Sequence, residues 1–148
     1  MAGTRDGERV VAPSGGLLHL EGLHGEVMRL AEAARDYLAA APSGQADVYG
    51  DPGRHLAVAC ETTRLVSRLG FCLAWLLARR AVQAGELAGE AAAASGGSWR
   101  LGGREVCLAE SSVGAADAAA LPCRLAELLE RSADLYRRVE RLDRALDG

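Results

Sequence analysis

Apolar residues recur every three or four positions in three long segments, and this spacing predicts three amphipathic α-helices. The segments cover about residues 17–41, 52–84 and 122–146. Asp51 and Pro52 suit the start of the second helix, because Asp caps free backbone N–H groups and Pro fits the first helical position. Gly85 suits the end of this helix.

The residues between the second and the last helix show the least regular pattern. SWRL and REVCL flank Gly102 and Gly103, which predicts either a small hairpin or an irregular loop, and both alternatives stay open at this stage. The first sixteen residues are rich in Gly, Pro and charge. The expected fold is therefore all-α: a flexible arm of residues 1–16 precedes one domain, residues 17–148, that is a three-helix bundle with a long central helix.

The last helix has one apolar face and one charged face. Its apolar positions follow a heptad spacing that only Ser132 interrupts. Arg137 and Arg141 share the outer face and are the candidate surface for a protein cargo. Acidic residues four positions before arginines predict three ion pairs on this helix: Glu127 with Arg131, Asp134 with Arg138, and Glu140 with Arg144.

The central helix carries three different stripes when it is drawn at about 100° per residue. The first stripe consists of large apolar residues and is expected to lie in the core. The second consists of small residues around Gly70, which predicts a close crossing with another helix. The third stripe mixes arginines with aromatic residues: Arg64, Arg68, Phe71, Trp75 and Arg79.

This third stripe is the candidate dimer or partner surface. A three-helix bundle alone would leave Phe71 and Trp75 in water among arginines, and aromatic residues and arginine are enriched at protein interfaces. One interpretation is therefore a partner surface, used for homodimerisation. The other interpretation is that residues 85–120 cover the stripe within the same chain.

Composition and charge exclude several classes of protein. The longest apolar run, LGFCLAWLLA, lies between arginines and has ten residues, whereas a membrane-spanning helix needs about 20. The N-terminus lacks the apolar centre of a signal peptide, so the chain is expected to be cytoplasmic. The formal net charge is −3, and no basic cluster indicates a nucleic-acid partner.

The sequence contains no arrangement typical of catalysis, metal binding or cofactor binding. The four cysteines are scattered without the spacing of a zinc site and are expected to be reduced thiols, mostly in the core. The motifs of metalloproteases, serine hydrolases and nucleotide-binding loops are absent. The protein is therefore expected not to be an enzyme and to need no metal and no cofactor.

Two blocks of the sequence resemble a known family. TTRL followed by WLLARRAVQAGE, and SADLYRRVERLD in the last helix, resemble the RcdA family, the regulators of CtrA degradation. By element order the resemblance covers about residues 23–143, and it is specific in residues 61–86 and 132–143. The family type has a flexible tail after the last helix. Five residues follow Asp143 in this sequence, so contacts made through such a tail are expected to differ.

The resemblance implies a small helical bundle that forms homodimers and has no enzymatic activity. RcdA-like proteins are adaptors that help deliver cell-cycle proteins, including the response regulator CtrA, to the ClpXP protease. They work with the regulator CpdR and in some cases with PopA, and they can gather at a cell pole. The chain is accordingly expected to be such an adaptor. The alternative is a structural homodimer or a regulatory protein that binds a small ligand.

Overall fold

The computed structural model of the chain describes residues 14–40, 51–86, 100–110 and 121–147. Within these ranges the chain forms four α-helices and no β-strand: α1 Ser14–Ala40, α2 Pro52–Gln83, the short α3 Arg104–Cys107, and α4 Cys123–Asp147. The three long helices agree with the apolar spacing, and the all-α fold class is confirmed. The predicted arm overlaps the start of α1, and its residues 1–13 lie outside the described residues.

Helix α2 begins and ends at the residues that its sequence indicates. The Asp51 side chain accepts a hydrogen bond from the backbone N–H of Gly53 at 3.1 Å, and Pro52 is the first helical residue. Beyond the other end, Gly85 has a φ of 73°, a left-handed conformation that glycine adopts without a steric penalty. These signals make α2 32 residues long, the longest helix in the described part of the chain.

The core lies between α1, α2 and α4, which all contact one another. Fully burying an aliphatic or aromatic side chain stabilises a fold by roughly 1.5–3 kcal/mol relative to leaving it exposed. Ser132 also lies in the core, where its hydroxyl donates to the Leu129 carbonyl at 2.9 Å. The largest fully buried side chains come mainly from α2 and α4: Leu65, Cys72, Leu76, Leu125, Leu128, Leu135, Tyr136 and Val139.

One of the three predicted ion pairs on the last helix is wrong. Arg138 does not bind Asp134. Instead its guanidinium binds both carboxylate oxygens of Glu26 on α1, at 2.8 and 2.9 Å, while Asp134 binds Arg137 at 3.2 Å. The spacing within one helix cannot show that a neighbouring helix offers a better acceptor. The other two predicted pairs are present: Glu127 with Arg131 and Glu140 with Arg144.

The hairpin alternative is wrong for the segment around Gly102 and Gly103. The residues REVC form α3 rather than a strand, and Gly103 precedes this turn with a φ of 78°. Gly103 also lies so close to the Phe71 ring that a Cβ atom at this position would clash with it. Residues 100–110 are therefore an irregular segment that contains only the short helix α3, which agrees with the loop alternative rather than the hairpin. Ser98 and Trp99, which begin the predicted first strand, lie outside the described residues.

Candidate functional site

Residues 100–110, which we name the strap, cross the side of α2 that carries the arginine and aromatic stripe. Trp75 is 3% exposed and Arg68 is 7% exposed, while Arg64 and Arg79 are half-buried. Phe71 is 38% exposed and lies against Gly102 and Gly103 of the strap. Apart from Phe71, the stripe is therefore covered within the chain, as the second interpretation of the sequence describes. Arg68 and Trp75 are not accessible to a partner in this arrangement.

The two arginines nearest α3 bind the strap through its main chain. The Arg68 guanidinium donates to the Cys107 carbonyl at 2.8 Å, and on α4 to the Leu129 carbonyl at 3.0 Å. Arg64 donates to the Ala109 carbonyl at 3.1 Å. Burial, together with the nearby Arg64 charge, lowers the pKa of Arg68 from its ordinary value. These bonds explain why an arginine tolerates burial at this place.

A buried carboxylate, Asp143 of α4, joins the other end of the strap to α2. It is 4% exposed and accepts a hydrogen bond from the Trp75 indole N–H at 2.7 Å. It also accepts from the Leu101 backbone N–H at 3.2 Å and from Arg79 at 3.3 Å. The Arg79 guanidinium lies over the Trp75 ring, 5.4 Å from its centroid. One charged group thus connects α2, α4 and the strap.

Two further contacts fix the middle of the strap on α4. The Tyr136 hydroxyl donates to the Gly102 carbonyl at 2.7 Å, and Arg104 forms an ion pair with Glu140 at 2.7 Å. Cys107 is fully buried. The polar side chains of this region therefore bind the strap and hold it against α2 and α4.

The buried thiols and the tyrosine of this region are held in their neutral forms. Burial raises the pKa of Cys72 from 9.0 to about 12, and it also raises the pKa of Cys107. Burial raises the pKa of Tyr136 as well. A thiol of high pKa is a poor nucleophile, because the thiolate is the reactive form. Cys60 and Cys123 are exposed, so the expectation of core thiols holds for two of the four cysteines.

These pKa shifts predict a loss of stability at alkaline pH. The folded chain keeps the protons of Cys72 and Cys107 at pH values where the unfolded chain releases them, so the unfolded state is favoured as the pH rises. The contribution of these two thiols to the free energy of unfolding is expected to be constant below about pH 9 and to fall between about pH 9 and 12. Urea unfolding at several pH values, followed by circular dichroism, measures this slope.

Two variants test the assignment of the alkaline slope. Cys72→Ala removes one of the buried thiols and is expected to reduce the slope, whereas Cys60→Ser alters an exposed thiol and is expected to leave it unchanged. A free energy of unfolding that stays constant or rises above about pH 9 in the native chain would contradict the prediction.

The side of α2 that neither the strap nor the other helices cover forms an exposed face without charge, which we name the open face. Between Leu56 and Arg79 every exposed residue of α2 is uncharged, while the charged residues Glu61 and Arg68 are buried. Leu56, Val66 and Leu77 are 64%, 51% and 50% exposed. The open face consists of these exposed residues: Leu56, Ala59, Cys60, Thr63, Val66, Gly70, Phe71, Ala74 and Leu77.

The small-residue stripe therefore does not mark a crossing within the bundle, and that prediction is wrong. A Cβ atom added at Gly70 would meet no heavy atom within 4 Å. The core is supplied by the apolar stripe and by part of the arginine and aromatic stripe instead. The small-residue stripe carries no charge, but the buried apolar stripe of α2 carries none either. Small residues are also common at helix crossings, so the pattern alone did not separate the two cases.

An apolar groove of about 590 Å³ lies beside the open face, between α1 and α2. Val66, Gly70 and Leu73 of α2 form one side. On α1 the groove is lined mainly by alanines and by Leu38, which is 39% exposed. Arg35 lies at its rim and forms an ion pair with Asp36 at 2.9 Å. The groove therefore extends the apolar surface of the open face onto α1.

The candidate cargo residues lie on the outer face of α4. Arg137 and Arg141 are both exposed, and Arg137 binds Asp134 of its own helix at 3.2 Å. This surface is charged, in contrast to the open face of α2. The two surfaces therefore suit partners of different chemistry.

The described part of the chain contains no group of three or more His, Cys, Asp and Glu side chains that could hold a metal ion. His19 and His55 are exposed and His24 is half-buried. None of the helices in the described ranges has an apolar stretch long enough to cross a bilayer. In the described part of the chain, the polar side chains that cluster around the strap bind its main chain.

A family model described as a protein of unknown function, DUF1465, matches residues 18–148 of the chain. No curated protein matches the chain, and no solved structure does. The matched range begins within α1 and includes the rest of that helix, the strap, α2 and α4. The resemblance to the RcdA family stays a prediction.

Proposed function

Because the chain belongs to the DUF1465 family, whose function is unknown, we propose a function from its surfaces and from the resemblance of its sequence. The protein is a non-enzymatic adaptor of the RcdA type, which helps deliver cell-cycle regulators such as the response regulator CtrA to the ClpXP protease. Its partners are CtrA-like cargo, CpdR-like and PopA-like regulators, and a second copy of the chain.

The observation that carries the proposal is the presence of two accessible surfaces of different chemistry. An adaptor raises the effective concentration of one protein near another, so it needs at least two binding surfaces and no catalytic group. The open face of α2 is apolar and uncharged, whereas the outer face of α4 presents Arg137 and Arg141. An exposed apolar patch of this extent is typical of a protein interface.

The two blocks that resemble the RcdA family meet in the fold, which supports the proposal. Residues 61–86 form most of α2, and residues 132–143 lie in α4. Trp75 of the first block and Asp143 of the second share the 2.7 Å hydrogen bond. The blocks therefore correspond to one packed unit of the bundle rather than to separate surface segments.

A second candidate function is the binding of a small apolar ligand. The groove between α1 and α2 falls within the volume range of small-molecule sites, about 300–1,000 Å³, and its lining is largely apolar. Small-molecule sites also contain several converging polar groups that orient the ligand. The groove has Arg35 at its rim, already bound to Asp36, and this makes the ligand function the weaker candidate.

The adaptor function is tested by reversing the charges of Arg137 and Arg141 to Glu. Both side chains are exposed, so folding is expected to change by no more than about 0.5 kcal/mol. Charges at the rim of an interface mainly steer association, and their reversal is expected to slow cargo delivery by about tenfold. The measurement is degradation of a CtrA-like cargo by reconstituted ClpXP with its priming regulator, with and without the protein.

Arg29→Glu is the matched control, because it reverses an exposed arginine on α1 that does not line the groove. It is expected to leave delivery unchanged. If cargo disappears at the same rate with and without the native protein, for every response regulator tried, the adaptor function is wrong. If only the reversals have no effect, the adaptor function stands and the cargo binds elsewhere.

A further inference from the structure

We propose that the open face of α2 is the site at which a second copy of this chain binds, in an antiparallel arrangement about a two-fold axis at Gly70. The role of such a dimer rests on the proposed function, since an adaptor that pairs presents two cargo surfaces. The evidence for it comes from the exposure, charge, register and area of the face.

The first argument is chemical. The open face carries no charged side chain, and the Thr63 hydroxyl already donates to the Ala59 carbonyl of its own helix at 2.9 Å. A partner with a charged surface would lose hydration at such a face without gaining a counter-charge. The partner must therefore be apolar and uncharged over the length of a helix. A second open face meets this requirement, and two copies placed together cause no charge repulsion.

The second argument is the order of bulky and small residues about Gly70. The uncharged face continues through Ala81 and Ala84, so Gly70 lies midway between Leu56 and Ala84. In an antiparallel pair centred on Gly70, residues equally far before and after it share a layer. Four of these layers combine a larger residue with a smaller one: Leu56 with Ala84, Thr63 with Leu77, Val66 with Ala74, and Ser67 with Leu73. Ala59 with Ala81 is a layer of two small residues, and Cys60 shares a layer with Arg80.

The glycine itself permits the close approach that this order requires. A residue that lies on the two-fold axis meets its own copy. A large side chain at position 70 would therefore meet an identical large side chain. Gly70 has no side chain, and the space over its Cα is open in the single chain. The packing of the bundle does not require a glycine at this position, whereas an antiparallel pair of α2 helices does.

The third argument is the area. At about 1.5 Å per residue and a helix diameter of about 10 Å, the face from Leu56 to Ala84 covers about 400 Å² on each copy. Two copies thus bury about 800 Å² through α2 alone. The neighbouring α1 surface adds Leu38, which is 39% exposed. The total approaches the roughly 1,000 Å² that a biological interface needs, so a dimer of moderate affinity is expected.

The first test is the oligomeric state of the native full-length chain and of Gly70→Leu. Sedimentation velocity at tens of micromolar is expected to show dimers of the native chain and to show a loss of affinity of at least about thirtyfold for Gly70→Leu. The melting midpoint of the Gly70→Leu monomer is expected to be unchanged or higher, because leucine favours the helix over glycine. Loss of dimers together with retained folding separates an interface from a structural role.

Gly22→Leu is the matched control. Gly22 is also an exposed glycine within a helix, with no heavy atom within 4 Å of an added Cβ, but it lies on α1 away from the open face. This variant is expected to dimerise like the native chain. A native chain that remains monomeric at these concentrations would overturn the proposal, and so would a Gly70→Leu variant that dimerises normally.

The second test determines the orientation. In a chain with Cys60 and Cys123 replaced by serine, Gly70→Cys places a thiol on the proposed axis, and a mild oxidant is expected to join two copies by a disulfide. Leu56→Cys in the same background is expected to give no covalent dimer, because an antiparallel pair separates the two thiols by about 42 Å. Equal cross-linking of both variants would contradict the antiparallel arrangement. Neither test includes protease or cargo, so failure here is distinct from failure of the adaptor function.

Discussion

Replacement of Asp143 with alanine is expected to lower the free energy of unfolding by about 3–5 kcal/mol. The carboxylate is 4% exposed and accepts hydrogen bonds from the Trp75 indole, from the Leu101 backbone N–H and from Arg79. Its removal leaves the guanidinium of Arg79 without this negative charge, and it takes the acceptor from the buried Trp75 N–H and from the half-buried Leu101 N–H. Both effects cost free energy, because buried donors cannot turn to water instead.

Urea unfolding followed by circular dichroism measures this change, and two control variants locate its origin. Asp134→Ala removes an exposed acidic residue of the same helix and is expected to change stability by at most about 0.5 kcal/mol. Asp143→Asn retains an oxygen acceptor for the indole but removes the charge, so its effect is expected to be intermediate. A loss below about 1 kcal/mol in Asp143→Ala would show that the strap does not depend on this carboxylate.

Replacement of Trp75 with alanine is expected to destabilise the fold by about 3–5 kcal/mol. The indole is 3% exposed and lies against Asp143 of α4, so its removal creates a cavity between α2 and α4. It also removes the N–H that donates to Asp143 at 2.7 Å. Trp75→Phe retains a ring but loses this donor, and its effect is therefore expected to be smaller. The midpoint of urea unfolding is the measurement.

The same experiment separates the two interpretations of the arginine and aromatic stripe. If Trp75 were an anchor on a partner surface, Trp75→Ala would weaken self-association and leave the stability of the monomer unchanged. Because Trp75 is buried, we expect Trp75→Ala to destabilise the monomer rather than to remove a contact between two copies. Leu77→Ala is the matched variant, because Leu77 is 50% exposed on the open face of the same helix. It is expected to weaken self-association and to have little effect on the unfolding of the monomer.

The sequence by itself determined the helices and their ends. Asp51 and Pro52 start α2 and Gly85 follows its end, because capping and left-handed glycine depend on residues close in the chain. The heptad spacing of α4 likewise predicted its buried face, with Ser132 included in the core. Local hydrogen bonding and helical periodicity act over a few residues, so these features can be predicted from the sequence alone.

Only the tertiary structure decided which stripe of α2 meets which neighbour. A helical wheel places Arg64, Arg68 and Trp75 on one side, but it does not show what covers them. The groups that make their burial favourable are two main-chain carbonyls of the strap and the carboxylate of Asp143, which is 68 positions away from Trp75. Main-chain carbonyls have no sequence signature, and a distant carboxylate becomes a partner only when the helices pack. For this reason the residues that resemble an interface lie inside the bundle, and the uncharged stripe of small residues forms the exposed surface.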